Sequence, residues 1–148
     1  VMICQRATGD TDYDRLLEKA RAVQNLEFIE RVPFHEVDAY YRRAKVFVNT
    51  SDAEGFPNTF IQACGHAVPI LSLNVNPDGF LTQHNCGVDC QGNAERLPKS
   101  LRFLTAGGKY VEIGRNARRY VEQRHDIRVV AQSYKDIFRE SVDARFHA

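Results

Sequence analysis

Short apolar runs alternate with longer stretches of helical periodicity from one end of this chain to the other, and few architectures accept that rhythm. It is the pattern of strand–helix–strand units, in which parallel strands are joined by crossover helices. Val1 to Cys4 reads as a strand. Thr11-Asp12-Tyr13-Asp14 then offers an N-cap and an early acid to a helix whose apolar positions are Tyr13, Leu16, Leu17, Ala20 and Val23. Leu26 to Arg31 is the next strand and ends at Val32-Pro33. Val37, Tyr40, Tyr41 and Ala44 mark a short helix, Val46 to Val48 a buried strand, and Thr59 to Gly65 or His66 another helix. Ile70 to Leu73 reads as a fourth strand and Val88 to Cys90 as a weak fifth. Leu97, Leu101 and Leu104 give a further helical face closed by Gly107-Gly108, and the last forty or so residues are helical throughout. In that closing stretch Ile127, Val130, Ala131, Tyr134, Ile137, Phe138 and Val142 keep close to helical spacing.

The expectation is therefore one α/β domain over residues 1–148, built on a five-strand parallel sheet. Its 148 residues suffice for one substantial core, and 43% hydrophobic with 26% charged residues is too apolar for disorder. A net charge of +1 gives no general attraction to nucleic acid. No apolar run approaches the roughly 20 residues of a membrane span, and Val1-Met2-Ile3-Cys4 runs into Gln5-Arg6 without a signal-peptide layout, so a cytoplasmic protein is expected. The basic helix face of Arg115, Arg118, Arg119 and Arg124 is read first as a solvated face, with attachment to a membrane surface as the rival account. Cys4 and Cys64 sit in apolar or helical surroundings as small hydrophobes. Cys86 and Cys90 near His84 lack the second ligand pair that structural zinc requires, so no metal is expected. His35, His66, His84, His125 and His147 are scattered without a serine or cysteine partner, which speaks against a hydrolase triad. The chain opens directly in a strand, and its terminal helices look able to pack on more than a five-strand sheet. A piece of a longer protein is the expectation.

In open α/β sheets ligands bind beyond the carboxyl ends of the strands, where helix N-termini attract anions. The stretch Ser51 to Asn58 leaves a strand at that edge. Gly55 lets the backbone approach a ligand or take a positive φ, and Pro57 is suited to open the next helix. The N–H groups of Asn58, Thr59 and their successors then face outward with the helix dipole behind them, a setting that favours a diphosphate. Glu54 does not suit a phosphate but does suit a sugar hydroxyl; capping of the helix is its alternative. Gln62 can both donate to and accept from ribose hydroxyls, or be an ordinary exposed helix residue.

Val32 to Pro69, with Val32-Pro33, Arg43-Ala44-Lys45, Val46 to Asn49, Glu54-Gly55-Phe56-Pro57-Asn58, Ala63 and Val68-Pro69-Ile70 in order, resembles the donor-binding domain of the glycosyl transferases group 1 family. Gly87 and the Gly114-Arg115-Asn116-Ala117-Arg118 segment resemble that family's closing region. The resemblance implies a Rossmann-like half of a two-domain GT-B enzyme that moves a sugar from a nucleotide sugar to an acceptor hydroxyl with retention of configuration. It implies Glu54 as the catalytic-site acid at the donor sugar and Gly55, Phe56, Pro57, Asn58, Thr59 and Gln62 as donor-binding residues. Val32 and Pro33 would lie against the nucleobase, with no cofactor or metal beyond the donor itself. It also implies an N-terminal acceptor-binding domain as partner and a basic diphosphate pair upstream of Val1.

Three departures stand out. The family's second glutamate falls on Gln62, its usual Cys-Gly before Val-Pro is His66-Ala67 here, and its glycine-rich turn reads Asn74-Val75-Asn76-Pro77-Asp78-Gly79. A nucleotide-sugar-binding module without turnover and a sugar-nucleotide epimerase are the competing readings. Asp10-Thr11-Asp12 imitates an Asp-x-Asp metal motif but precedes a helix, which favours capping. A response-regulator-like domain is disfavoured because Asn49, Thr50 and Asn74 stand where aspartates would be needed.

Overall fold

The computed structural model describes residues 1–9 and 11–146, with side chains as far as Val142. The chain divides into two compact units, Val1–Ala39 and Tyr40–Ala148. In the first, strand β1 (Met2–Ile3) pairs in parallel with β2 (Phe28–Ile29), and helix α1 (Tyr13–Arg21) is the crossover between them. Tyr13 and Ala20 are the buried positions of α1, and the Tyr13 ring meets Phe28 edge-on at 6.2 Å. Asp12 is the N-cap residue but makes no side-chain capping bond, which removes the capping role from the second aspartate of the Asp-x-Asp stretch. Asp10, like His147, lies outside the described residues. A short turn of 3₁₀ helix at Phe34–Glu36 leads into α2 (Val37–Arg43), which runs across the boundary between the units.

The second unit carries β3 (Phe47–Asn49), α3 (Asn58–Gly65), β4 (Ile70–Ser72), α4 (Phe80–Gln83) and β5 (Gly87–Asp89). After them come α5 (Arg96–Thr105), α6 (Lys109–Arg124) and α7 (Ile127–Phe146). The three strands are parallel in the order β3-β4-β5, with Phe47 beside Ile70 and Ile70 beside Gly87. β4 is central and buried on both faces, with Ile70, Leu71 and Ser72 no more than 1% exposed. That is why its sequence is a continuous apolar run rather than an alternation. Successive side chains of a strand point to opposite faces. Ile70 accordingly joins Phe60, Cys64, Phe80, Leu81 and Ala117 on one side, while Leu71 joins Cys90, Leu104 and Ile113 on the other. Each fully buried Leu, Ile or Phe contributes about 1.5–3 kcal/mol.

The architecture is α/β with parallel strands and flanking helices, as the rhythm of the sequence requires. The single five-strand sheet is not what forms. The strands hydrogen-bond as two sheets, one of two and one of three strands. Each short strand finds its partner one crossover away in its own unit, where the connecting helix sets the pairing. Two further differences are local. Pro57 is the N-cap of α3 and not its first helical residue, with φ −63° and ψ 128°. The turn expected over Asn74 to Gly79 continues, through a 3₁₀ turn at Pro77–Gly79, into α4, whose Phe80 and Leu81 are core residues.

Helix α6 approaches the β4 side closely: a Cβ on Gly114 would stand 1.9 Å from the Ala67 carbonyl oxygen. Ala67 itself adopts φ +57°, a conformation that costs an alanine about 1–2 kcal/mol. On α7 the expected apolar stripe is present and exposed, with Ile127 75%, Tyr134 60% and Phe138 67% accessible. Among the described residues no helix is long and apolar enough to cross a membrane.

Candidate functional site

Three connections leave the three-stranded sheet at its carboxyl edge, and the first of them holds most of the expected site. Asn49 ends β3 and is buried. Its side chain organises the start of the loop. The amide nitrogen donates to Glu54 Oε1 at 2.9 Å, and the amide oxygen accepts the Ser51 N–H at 3.1 Å. The second contact is the Asx turn that asparagine favours after a strand. Glu54 is thereby tied to the strand end while the residue stays exposed to solvent. Local sequence spacing carries no signal for this contact between Asn49 and Glu54.

Gly55 follows, exposed, and its backbone is not in the positive-φ region. A Cβ built on it meets nothing within 4 Å. The positive-φ explanation for a glycine here is thus withdrawn, and the fold makes no steric demand for it either. Phe56 is half-buried and turns inward, stacking on Phe80 at 5.2 Å. Pro57 is buried, and its carbonyl accepts the Phe60 N–H at 2.9 Å. Asn58 and Thr59 open α3 and are exposed. As the first N–H groups of a helix they have no intrahelical acceptor. Gln62 is half-buried one turn on, and its Oε1 accepts a hydrogen bond from the Tyr41 hydroxyl at 3.3 Å. Tyr41 stacks on His66 with ring centroids 5.8 Å apart. Gln62 is therefore neither a plain surface residue nor capable of offering its carbonyl oxygen wholly to a ligand.

The second connection, after β4, is fastened from within. Ser72 Oγ accepts the Val75 N–H at 3.0 Å, and Asn76 Oδ1 accepts the Leu81 N–H at 3.0 Å. Asn76 also donates to Asp89 Oδ2 at 3.2 Å, and Asn74 donates to the Asp52 carbonyl at 2.7 Å, joining the two loops. Beneath both loops lies an aromatic cluster: Phe80 stacks on Tyr120 at 5.0 Å, and Phe56 packs on His125 at 4.9 Å.

Val32, half-buried, and Pro33, exposed, belong to the first unit, whereas Glu54 to Gln62 belong to the second. A cavity of about 360 Å³ in the first unit, lined in part by Tyr13, Leu17, Leu26 and Phe28, contains none of the expected site residues. Cys64 and Cys86 offer no ready thiolate. Burial raises Cys64 to about 12, helped by neighbouring Cys86, and raises Cys86 to about 11. All four cysteines are free. Cys86 and Cys90 point into different core clusters.

Chemically, then, the carboxyl edge presents one anchored carboxylate, one unobstructed stretch of backbone and one open helix N-terminus. These are complementary to a ligand with both hydroxyl and anionic groups. Glycosyltransferase 1 domain-containing protein 1 of Xenopus tropicalis is 23% identical over 120 residues, covering 80% of this chain and 35% of the relative. The chain thus spans about a third of that relative's length. No solved structure matches it. The glycosyl transferases group 1 model matches residues 5–106, which includes strands β2 to β5 and the whole of the loop from Ser51 to Asn58. On that match, over more than half of its length, the chain belongs to the glycosyl transferases group 1 family.

Proposed function

We infer that this chain is the nucleotide-sugar-binding part of a retaining glycosyltransferase. Family membership supports glycosyl transfer; the donor, the stereochemistry and the roles below are the present reading. The observation that carries it is Gly55. Neither backbone conformation nor packing requires a glycine there, so the remaining physical reason for it is the approach of a ligand to the backbone. It lies between a carboxylate held at the strand end and a free helix start.

On this reading the first N–H groups of α3 receive the diphosphate. As the bond from sugar to diphosphate breaks, charge accumulates on the leaving phosphate oxygens, and prearranged N–H donors stabilise it without having to reorganise. Glu54 orients the donor sugar through its hydroxyls, with Asn49 fixing one carboxylate oxygen and leaving the other to the ligand. Gln62 contributes its amide N–H to the ribose, its carbonyl being engaged by Tyr41. No metal or cofactor takes part, and the acceptor is held by another domain of the full-length protein, in the cytoplasm or at a membrane surface.

A calorimetric screen of the chain against UDP, GDP, ADP and their sugars tests this. One nucleotide binds weakly, and Glu54→Ala lowers affinity for its sugar-bearing form by about tenfold, the scale of one hydrogen bond to a charged group, while leaving the bare nucleotide unchanged. Equal loss for both forms would remove Glu54 from the sugar. Gln62, in place of the family's second acid, favours a second reading: a module that binds the donor without transfer. Full-length protein that binds a nucleotide sugar but transfers nothing to any acceptor would establish it.

A further inference from the structure

The loop from Ser51 to Asn58 is held at one end by Asn49, and its other end rests, through Phe56, on a side chain far along the sequence. Phe56 sits between Phe80, at 5.2 Å, and His125, at 4.9 Å. His125 is the residue that ends α6, one position before the acid that starts α7, and its backbone N–H donates to Val121 O at 2.8 Å. Its ring also meets Tyr120 at 5.5 Å. Among the described residues its Nε2 is buried and has no hydrogen-bond partner. A neutral imidazole tolerates that arrangement by leaving a weak acceptor unused. A protonated one carries N–H donors on both nitrogens, and a buried cationic donor without a partner is costly.

We propose that His125 is a positioning residue for the Ser51–Asn58 loop: its neutral ring forms the wall on which Phe56 packs, and protonation drives the ring toward water and loosens the loop. This rests on the donor-binding reading for its consequence, but not for the coupling itself. The groups around His125 do not offset a positive charge. Arg124 lies beside it on α6 and opposes protonation. Tyr120 has its phenol pushed upward by burial, so it stays neutral. Asp126 is the nearest acid in sequence, but its Oδ1 accepts the Arg128 N–H at 2.8 Å at the start of α7. Across Tyr120 stand His84, with ring centroids 4.8 Å apart, and Asp78. Phe56 and Phe80 contribute only apolar faces.

The direction in pH follows. Burial, and then Arg124, lower the tendency of His125 to protonate in the folded state relative to the ordinary value near 6.5. Above that value both folded and unfolded chains are neutral at this position, and the packing contributes in full. As pH falls below it the unfolded chain binds the proton first, so the contribution declines until the folded-state value has been passed.

The test is an NMR titration of the 148-residue chain between about pH 7.5 and 5, the interval in which a histidine responds. It follows the His125 ring, the Phe56 ring and the Gly55 amide together. We expect the three to share one midpoint, and His125→Phe, which keeps a ring and cannot titrate, to hold the Phe56 and Gly55 signals at their neutral-pH positions. His84→Gln, which removes the other imidazole near Tyr120, should leave the transition intact. Phe56 and Gly55 signals that stay still while His125 titrates overturn the proposal, as does an unchanged transition in His125→Phe or its disappearance in His84→Gln. If His125→Phe does not fold, the wild-type midpoints and the His84→Gln titration still decide. In parallel, affinity for whichever of UDP, GDP or ADP binds is expected to fall about two- to tenfold across the same interval, the span for one aromatic contact. Loop signals that follow His125 with no nucleotide bound at any pH would remove the donor reading and leave the coupling standing.

Discussion

The loops after β3 and β4 leave adjacent parallel strands at the same edge of one sheet, yet they are built on opposite plans. The second closes on itself. Ser72, Asn76 and Asp89 satisfy its backbone and one another, and Val75, Phe80 and Leu81 sink into the core at 3%, 1% and 0% exposure. The first is held at its two ends, by Asn49 outside and by Phe56 and Pro57 inside, and its middle is left open at Glu54 and Gly55. A loop pinned by its own side chains over buried apolar residues is a strut. One that fixes a carboxylate and leaves backbone uncovered is prepared to bind something. The Asn74–Asp52 bond joins the two, so the strut also sets the position of the binding loop.

If the second loop is a strut, damage to it must appear as lost stability. Phe80→Ala is the severest case, because Phe80 is 1% exposed and touches Phe56, Phe60 and Tyr120. It should cost about 3–5 kcal/mol in denaturant unfolding, the range for a buried phenylalanine. Ser72→Ala removes the acceptor for the Val75 N–H from a side chain that is 0% exposed. It should cost about 1–3 kcal/mol, since it leaves a buried donor unpaired. A Ser72→Ala protein as stable as the parent but impaired in nucleotide binding would reverse the assignment of roles between the loops.

How much of this was legible in the sequence divides along the same line. The loop after β3 was readable because its residues carry local signals: Gly55 and Pro57 punctuate, and α3 follows with apolar Phe60, Ala63 and Cys64 on one face. The start of α3 was misjudged by one residue, within the usual uncertainty of helix ends. In the loop after β4 the sequence shows the turn at Asn74 to Gly79 but not the helix that follows it. α4 is only four residues long, too short to show any period, and Phe80-Leu81 behind Asp78-Gly79 resembles the end of a turn. The division into two sheets, the Asn49–Glu54 bond and the packing of His125 on Phe56 were not legible at all. Each depends on which distant segments meet. A histidine 69 positions from its partner ring leaves no trace in local spacing.

The smallest effect on stability is the most pointed test of the contrast. Gly55→Ala adds one methyl group at an exposed position where φ is not positive and no atom lies within 4 Å. Fold physics alone gives a change within about 0.5 kcal/mol, as for surface substitutions generally, and alanine's smaller unfolded-state entropy pushes the sign toward stabilisation. If the open backbone is where the donor lies, the same methyl group stands in the ligand's path. Affinity for the bound nucleotide sugar should then drop by tenfold or more, about 1.4 kcal/mol, in a protein whose unfolding midpoint has not moved. Such a split between binding and stability cannot arise from a strut, where the two losses would travel together. Unaltered affinity in Gly55→Ala would mean that the uncovered backbone is merely exposed, and the distinction between the loops would lose its functional meaning.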